Sequence, residues 1–88
     1  RENFTAVSYG ERDPDCAGIS SPVFGADNRL VGALSVSGPK SRFTEENVRR
    51  MSGLVLEAAV RVTRVLGGRN DAMAARAERL AQPALTHD

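Results

Sequence analysis

The sequence predicts an α+β fold in which helices cover one face of an antiparallel sheet. Three short runs of strand-type residues come first, separated by turn residues, and two helical segments follow. The 88 residues are 41% hydrophobic and 26% charged, with a net charge of +1, which is a globular composition. Because the sequence begins with Arg1 and enters strand-type residues almost at once, as the middle of a fold would, we expect it to be the C-terminal piece of a longer protein. Three strands offer little area for a core, so we also expect further strands upstream.

The predicted strands are residues 3–9, 19–24 and 29–37. The second contains Pro22, which cannot donate a ladder hydrogen bond and therefore indicates an edge strand or a bulge. Residues 10–18, with two glycines, a proline and four charges, predict a loop. Residues 25–28 predict a turn in which Asn28 tolerates a left-handed conformation, so that the second and third strands form a hairpin.

Two helices are predicted after the strands. Thr44 caps the first at its N-terminus, and Gly67-Gly68 ends it. Its apolar stripe recurs at intervals of three and four residues and consists of Val48, Met51, Val55, Ala58, Val62 and Val65. The second helix covers residues 71–82, with a thinner apolar side, and Pro83 closes it.

The length of the hairpin loop fixes how the second and third strands pair. A four-residue loop pairs Gly25 with Leu30 and places Ser20 opposite Ser35, whereas a three-residue loop places Ile19 opposite Ser35. We predict the four-residue loop because it separates apolar from polar side chains, and a bulge near the turn would shift the pairing only locally.

In the predicted register the hairpin has an apolar face and a small, hydroxylated face. The apolar face presents Leu34 and Val36, and we expect the first helix to pack on it. The other face collects Gly18, Ser20, Ser35 and Ser37. Small residues leave room for a ligand and hydroxyls offer hydrogen bonds, so this face is a candidate binding surface. An ordinary solvent-facing side of the sheet is the alternative.

Catalytic and metal-dependent functions find little support in the sequence. Cys16 is the only cysteine and His87 the only histidine, which argues against a disulfide, a metal cluster or a histidine-based triad. Glu11, Asp13 and Asp15 crowd one loop and predict solvated charges. We therefore predict no enzyme activity, no metal and no cofactor.

Charge and hydropathy give no sign of direct DNA contact or of a membrane. Acidic residues offset the arginines of the two helices, and no aromatic residue lies among them for base stacking. No apolar run approaches the roughly 18 residues that a span requires, and no signal-peptide pattern is present. We expect a cytoplasmic protein.

The stretch from Gly18 to Gly68 resembles the C-terminal end of IclR-type bacterial transcriptional regulators. It combines a small-residue strand ending in Pro-Val, a turn, the run ALSVSGP at Ala33–Pro39 with Arg42 behind it, and one long amphipathic helix. The preceding run VSYGERDP also fits, so that the resemblance covers roughly residues 5 to 68. Its most specific part is Ala33–Pro39 with Arg42.

The resemblance implies a GAF-like (profilin-like) effector-binding domain. Residues 1–68 would be the C-terminal part of that domain and residues 69–88 a helical tail. It also implies homodimers, often paired into tetramers, and DNA binding only through an N-terminal winged helix-turn-helix domain that these residues do not include. The function expected is the sensing of a small organic, acidic metabolite that alters operator binding. The alternative is a GAF-like oligomerisation module without a ligand.

The resemblance further implies which residues line the effector pocket. Ser35 and Ser37 match serines that lie in the pocket of family members. Gly18 matches a position where some members place a cysteine, and Ser8 one where some place an aspartate. Because this chain lacks that thiol and that carboxylate, and Cys16 lies two residues too early to replace the thiol, the glyoxylate- or pyruvate-type ligand of some relatives is not carried over.

Overall fold

The computed structural model describes residues 4–11 and 13–81. Its elements in chain order are β1 (Ala6–Tyr9), β2 (Cys16–Phe24), β3 (Leu30–Pro39), α1 (Glu45–Val65) and α2 (Asp71–Ala81). The strands form one antiparallel sheet in the order β1-β2-β3, α1 lies on one face of it, and α2 packs against α1. The α+β class and the order of elements are confirmed.

β2 begins at Cys16, three residues earlier than predicted. Two backbone hydrogen bonds close the preceding loop: the amide of Gly10 donates to the carbonyl of Cys16 (2.8 Å), and the amide of Lys40 donates to the carbonyl of Asp15 (2.7 Å). The last three residues of the predicted loop, residues 16–18, therefore belong to the sheet. β1 is shorter than predicted and begins at Ala6, after Phe4 adopts a positive φ of 59°.

Pro22 lies in the middle strand of the described sheet and not in an edge strand, but a register shift between Val23 and Phe24, close to Pro22, agrees with the predicted alternative of a bulge. β1 pairs with β2 only as far as Ser20, which faces Ala6, so no described ladder partner needs a donor from Pro22 on that side. On the other side Pro22 faces Ala33. The missing amide is tolerated because β1 ends before it is required.

The predicted register of the hairpin is confirmed. Ser20 faces Ser35, and Ile19 faces Val36. Only the turn differs, because a register shift at the end of β2 pairs Phe24 instead of Gly25 with Leu30. Gly25 donates its amide to the carbonyl of Arg29 (2.8 Å). The turn is a short 3-10 segment in which Asn28 has the predicted left-handed conformation, with φ 54°.

α1 packs on the predicted face of the sheet, but its buried contact is with β2, and Val36 of β3 on the same face remains 43% exposed. The side chain oxygen of Thr44 accepts a hydrogen bond from the amide of Asn47 (3.2 Å) and caps the helix. Val55 is 4% exposed and forms a buried cluster with Ala17, Ile19 and Phe43. This contact confirms that α1 covers the face of β2 that points away from Ser20.

The predicted apolar stripe of α1 is wrong in its C-terminal half. Val62 is partly exposed and Val65 is 84% exposed, whereas Leu56, Val60 and Thr63 are buried. Leu56 and Val60 lie on the flank of α1 that α2 covers. The buried face of α1 is therefore broader than the predicted stripe and is displaced towards α2.

α2 packs beside α1 and forms a second buried cluster with it. This cluster consists of Met73 and Ala77 of α2 and Leu56 and Val60 of α1. The side chain of Asn70 caps α2 by accepting a hydrogen bond from the amide of Met73 (3.0 Å). Residue 82, the last residue of the predicted helix, and Pro83 lie outside the described residues.

A compact junction fastens the end of α1 to the hairpin turn. Gly67 has φ 87° and donates its amide to Arg64, and Gly68 donates to Thr63, which together form a Schellman motif. Gly67 also forms an isolated β-bridge with Gly25. The predicted glycine stop is confirmed, and it also serves as a contact to the sheet.

Two side chains complete this junction. The hydroxyl of Thr63 accepts a hydrogen bond from the amide of Phe24 (3.1 Å), and the side chain of Asn28 accepts one from the amide of Arg69 (2.8 Å). The junction therefore links β2, the turn, α1 and the start of α2.

Candidate functional site

The five residues predicted to bind a ligand lie on one face of the sheet. Ser8, Gly18 and Ser37 face one another across β1, β2 and β3 and form one row. Ser20 and Ser35 lie in the next row along the strands. Since side chains alternate along a strand, all five point away from α1. We call these five residues the serine face.

One row of the serine face borders a cavity. Ser8, Gly18 and Ser37 line a space of about 420 Å³ at the end of the sheet near the loop between β1 and β2. A Cβ added at Gly18 would lie 3.3 Å from the carbonyl oxygen of Val36 and 3.8 Å from the hydroxyl oxygen of Ser8. The missing side chain of Gly18 therefore leaves a shallow cradle between the two serines.

The same cavity contains three residues that were not assigned to the site from the sequence. Glu11 and Asp13 border it from the loop, and Cys16 borders it from the start of β2. The signal for Cys16 was present, because residues 16 and 18 share a face once the strand includes both. Glu11 and Asp13 gave no such signal, because their position depends on how the loop folds back to β3.

A larger depression lies at the opposite end of the hairpin. It encloses about 860 Å³, and Ser20 and Ala33 line it from the sheet. Its remaining walls are mainly apolar and include Phe4, Pro22, Phe24, Leu30 and Val31. Ser35 lines neither of these two spaces. The structure thus brings the five predicted residues onto one face but divides them between two concavities.

The serine face is accessible, and its hydroxyls make no hydrogen bond within the described chain. Ser35 and Ser37 are exposed, and Ser8, Gly18 and Ser20 are half-buried. Among residues 4–11 and 13–81, no side-chain hydrogen bond from the four serines is found. These hydroxyls can donate to or accept from a ligand, and their role in binding stays a prediction.

The groups that border the cavity are hydroxyls, a thiol and carboxylates. Within the described ranges, no group of three or more His, Cys, Asp or Glu side chains is placed to hold a metal ion. The cavity offers hydroxyls at Ser8 and Ser37, a thiol at Cys16 and carboxylates at Glu11 and Asp13. In the same described ranges, neither helix is long and apolar enough to cross a membrane.

The sequence matches a known protein family over most of its length. Residues 1–64 match the family described as bacterial transcriptional regulator IclR, C-terminal. The matched range includes the whole serine face and nearly all of α1. It ends before α2.

Two curated relatives are similar over three quarters of the chain. HTH-type transcriptional regulator KipR of Bacillus subtilis (strain 168) is 30% identical over 66 residues, which are 75% of this chain and 26% of KipR. HTH-type transcriptional regulator BhcR of Paracoccus denitrificans (strain Pd 1222) is 33% identical over 67 residues, which are 76% of this chain and 24% of BhcR. The chain therefore spans about a quarter of the length of these relatives.

A solved structure supports the same similarity. The crystal structure of an IclR transcriptional regulator from Alicyclobacillus acidocaldarius superposes with a TM-score of 0.68 at 32% sequence identity. The superposition covers 77% of this chain and 27% of that chain. Fold and sequence agree on the relationship.

Proposed function

Since the chain belongs to the family of IclR-type bacterial transcriptional regulators, in the C-terminal part that this family describes, we propose that it senses an effector. A small organic metabolite would bind at the serine face and change how the whole protein binds its operator. DNA contact would come from a winged helix-turn-helix domain outside these residues. The protein would act in the cytoplasm as a homodimer or tetramer, without catalysis and without a cofactor.

The row formed by Ser8, Gly18 and Ser37 carries this proposal. It joins three of the residues that the family resemblance implies for the pocket, and it borders a cavity of about 420 Å³. That volume lies within the range of small-molecule sites, about 300–1,000 Å³. The hydroxyls of Ser8 and Ser37 lie on either side of Gly18, and both can form hydrogen bonds to a ligand. This arrangement suits a small polar ligand better than a large apolar one.

The charges of the cavity bear on the class of the metabolite. Glu11 and Asp13 line it, and no basic side chain is among its described lining residues. Lys40 lies at the rim of the loop, where its Nζ atom would be 3.5 Å from a Cβ added at Gly10. Two carboxylates disfavour an anion on electrostatic grounds. We therefore propose a small polar metabolite, and an organic acid only if basic groups from elsewhere in the protein join the site.

Sensing requires that the metabolite binds two states of the protein with different affinity, because equal affinity shifts no population. The serine face and the core of the domain share β2, whose side chains alternate between them. A ligand that favours one position of β2 thereby favours one packing of α1. We propose this coupling as the route by which occupancy reaches the rest of the regulator.

The test is a thermal-shift screen of the natural protein that carries this chain. The panel contains small carboxylates, amines, polyols and aromatic acids. A ligand at about 100 times its dissociation constant stabilises the folded state by about 2.7 kcal/mol. The Ser37→Ala and Gly18→Val variants should reduce the shift produced by a hit, and Ser41→Ala, an exposed serine outside the serine face, should not.

The outcomes separate the proposal from its alternative. A hit that depends on Ser37 and Gly18 supports effector sensing at the serine face. A hit that both variants leave unchanged places the ligand elsewhere, and the absence of any hit favours an oligomerisation module without a ligand. The exposed apolar side chains of α1, Val62 and Val65, are the observation that supports this alternative.

A further inference from the structure

The hairpin changes its register at one residue of β3. Up to Val23, which faces Gly32, the pairing of β2 with β3 is continuous. Phe24 then faces Leu30, so that Val31 has no partner on β2 and forms a β-bulge. We call this arrangement the bulged register, and we call the arrangement with a four-residue loop and no bulge the regular register.

The two registers differ in the face of the sheet to which Leu30 belongs. In the bulged register Leu30 is 65% exposed and lines the larger depression together with Ser20. In the regular register Leu30 would face Gly25 and would share the side of Leu34, which is the side of α1, because a slip of one residue moves a side chain to the opposite face. The register therefore decides on which side of the sheet Leu30 lies.

The end of α1 packs directly against the turn at Gly25. Gly25 forms an isolated β-bridge with Gly67, and a Cβ added at Gly25 would lie 4.0 Å from the carbonyl oxygen of Leu66. A Cβ added at Gly68 would lie 2.6 Å from the carbonyl oxygen of Gly25. A leucine side chain placed beside Gly25 on this side would meet the end of α1. The closed junction and the regular register therefore exclude each other.

Two hydrogen bonds of the junction hold the turn in the bulged register. The amide of Phe24 donates to the hydroxyl of Thr63 (3.1 Å), and the amide of Arg69 donates to the side chain of Asn28 (2.8 Å). The turn contains two consecutive left-handed residues, Asp27 with φ 62° and Asn28 with φ 54°, a conformation that L-residues adopt at a cost. A four-residue loop is commonly built around a type I turn, which needs no such pair. The bulged register thus depends on the junction.

We propose that the junction and the hairpin turn form one two-state element, in which the closed junction selects the bulged register and its release permits the regular register. The first state places Leu30 in the larger depression, and the second moves it to the side of α1. The shape of the depression is thereby coupled to the contact between the turn and the helices, because a β-bulge re-aims the side chains around it. The proposal is independent of the effector and is tested without one.

The experiment is register trapping by disulfides within one chain, in the protein that carries these residues, with Cys16→Ser and no other thiol. Phe24→Cys with Leu30→Cys reports the bulged register, and Phe24→Cys with Val31→Cys reports the regular register. Opposite residues of antiparallel strands have Cα atoms about 4.5–5.5 Å apart, which suits a disulfide. With Thr63 in place, the first pair should oxidise faster than the second.

Thr63→Val tests the hydrogen bond that holds the turn. It keeps the shape of the side chain but removes the acceptor for the amide of residue 24, so the ratio of the two oxidation rates should shift towards the regular pair by at least about fivefold, the change that corresponds to one hydrogen bond. Thr44→Val is the matched control, because Thr44 also accepts one backbone hydrogen bond, from Asn47 at the other end of α1. The control should leave the ratio unchanged, and Thr63→Ser, which keeps the hydroxyl, should preserve it as well.

A second variant and a second measurement do not depend on position 63. Asn28→Gly, at an exposed position, removes the acceptor for the amide of Arg69 but permits a left-handed backbone, and it should shift the ratio in the same direction. Conversely, oxidation of the regular pair should open the junction. The amide of Arg69 should then exchange its hydrogen at least about tenfold faster than in the oxidised bulged pair.

These measurements decide the proposal. A shift of the ratio in Thr63→Val or Asn28→Gly, together with faster exchange at Arg69 in the oxidised regular pair, supports it. If neither variant changes the ratio beyond the Thr44→Val control, the junction does not select the register and the proposal is overturned. If the amide of Arg69 exchanges at the same rate in both oxidised forms, the register and the junction are uncoupled, and the proposal is likewise overturned.

Discussion

Replacing Gly68 with alanine should destabilise the fold strongly, although it adds a single methyl group. A Cβ at this position would lie 2.6 Å from the carbonyl oxygen of Gly25 and 2.8 Å from that of Phe24. Both neighbours are backbone atoms, so neither can move aside by a change of rotamer. The end of α1 or the hairpin turn must shift instead.

The size of the effect follows from what the shift breaks. Overpacking of this kind costs about 1–3 kcal/mol. Separating the turn from α1 also removes the hydrogen bond from Phe24 to Thr63 (3.1 Å) and that from Arg69 to Asn28 (2.8 Å). Each is worth about 1 kcal/mol. We expect Gly68→Ala to lower the free energy of unfolding by about 3–5 kcal/mol, from a typical total of about 5–15 kcal/mol.

The assay is urea unfolding followed by far-ultraviolet circular dichroism. Gly32→Ala is the matched control, because no heavy atom lies within 4 Å of a Cβ added there. The control should change the free energy of unfolding by less than about 0.5 kcal/mol. If Gly68→Ala unfolds within about 0.5 kcal/mol of the control, the junction does not constrain the turn and the reasoning fails.

Four further substitutions test the core and the serine face. Val55→Asp places an unpaired charge among buried apolar side chains and should cost about 3–5 kcal/mol in urea unfolding, whereas Ala72→Asp at an exposed site should cost little; equal effects would contradict the packing of α1. Ser21→Ala should raise stability by about 1 kcal/mol in thermal unfolding, because the Ser21 hydroxyl is buried and has no hydrogen-bond partner in the described part of the chain. A loss of stability would reveal a partner. Ser35→Ala and Ser37→Ala should leave unfolding nearly unchanged and weaken binding of an identified effector, measured by calorimetric titration, by about 0.5–1.5 kcal/mol each. Unchanged affinity in both would reduce the serines to solvent-facing residues.

The faces of the sheet could be predicted from sequence because strand periodicity is exact. Side chains alternate with a period of two residues, so one correct pair, Ser20 with Ser35, determines the faces of the paired residues from Cys16 to Val23. The pairing at the turn could not be predicted in the same way. The bulge at Phe24 depends on the hydrogen bond that Gly25 makes to Arg29, which is a tertiary detail of the turn.

The buried face of α1 was harder to predict because it has two partners. An apolar stripe with a spacing of three and four residues indicates one contact surface, and Val55 fits that prediction. Leu56 and Val60 are buried by α2 instead, whose weak apolar pattern gave little indication of the contact. The apolar residues left over, such as Val65, then face outward.

Only the part of the candidate site that lies on the strands could be predicted from the sequence. The serine face follows from the register, whereas the cavity requires the loop before β2 to fold back. That fold depends on the backbone hydrogen bond between Lys40 and Asp15, two residues far apart in the chain with no sequence pattern in common. Glu11 and Asp13 reach the cavity through this contact.

Because side chains alternate along β2, the fold depends more on the number of residues in this strand than on which residues they are. Deleting one residue from the middle of β2 would exchange the two faces for every residue on one side of the deletion. Ile19 would then meet water while Ser20 met the core, or the strand would have to slip against both neighbours. An insertion or deletion of one residue within β2 therefore disrupts the serine face and the core together, whereas the loop before Cys16 lies outside the paired strand.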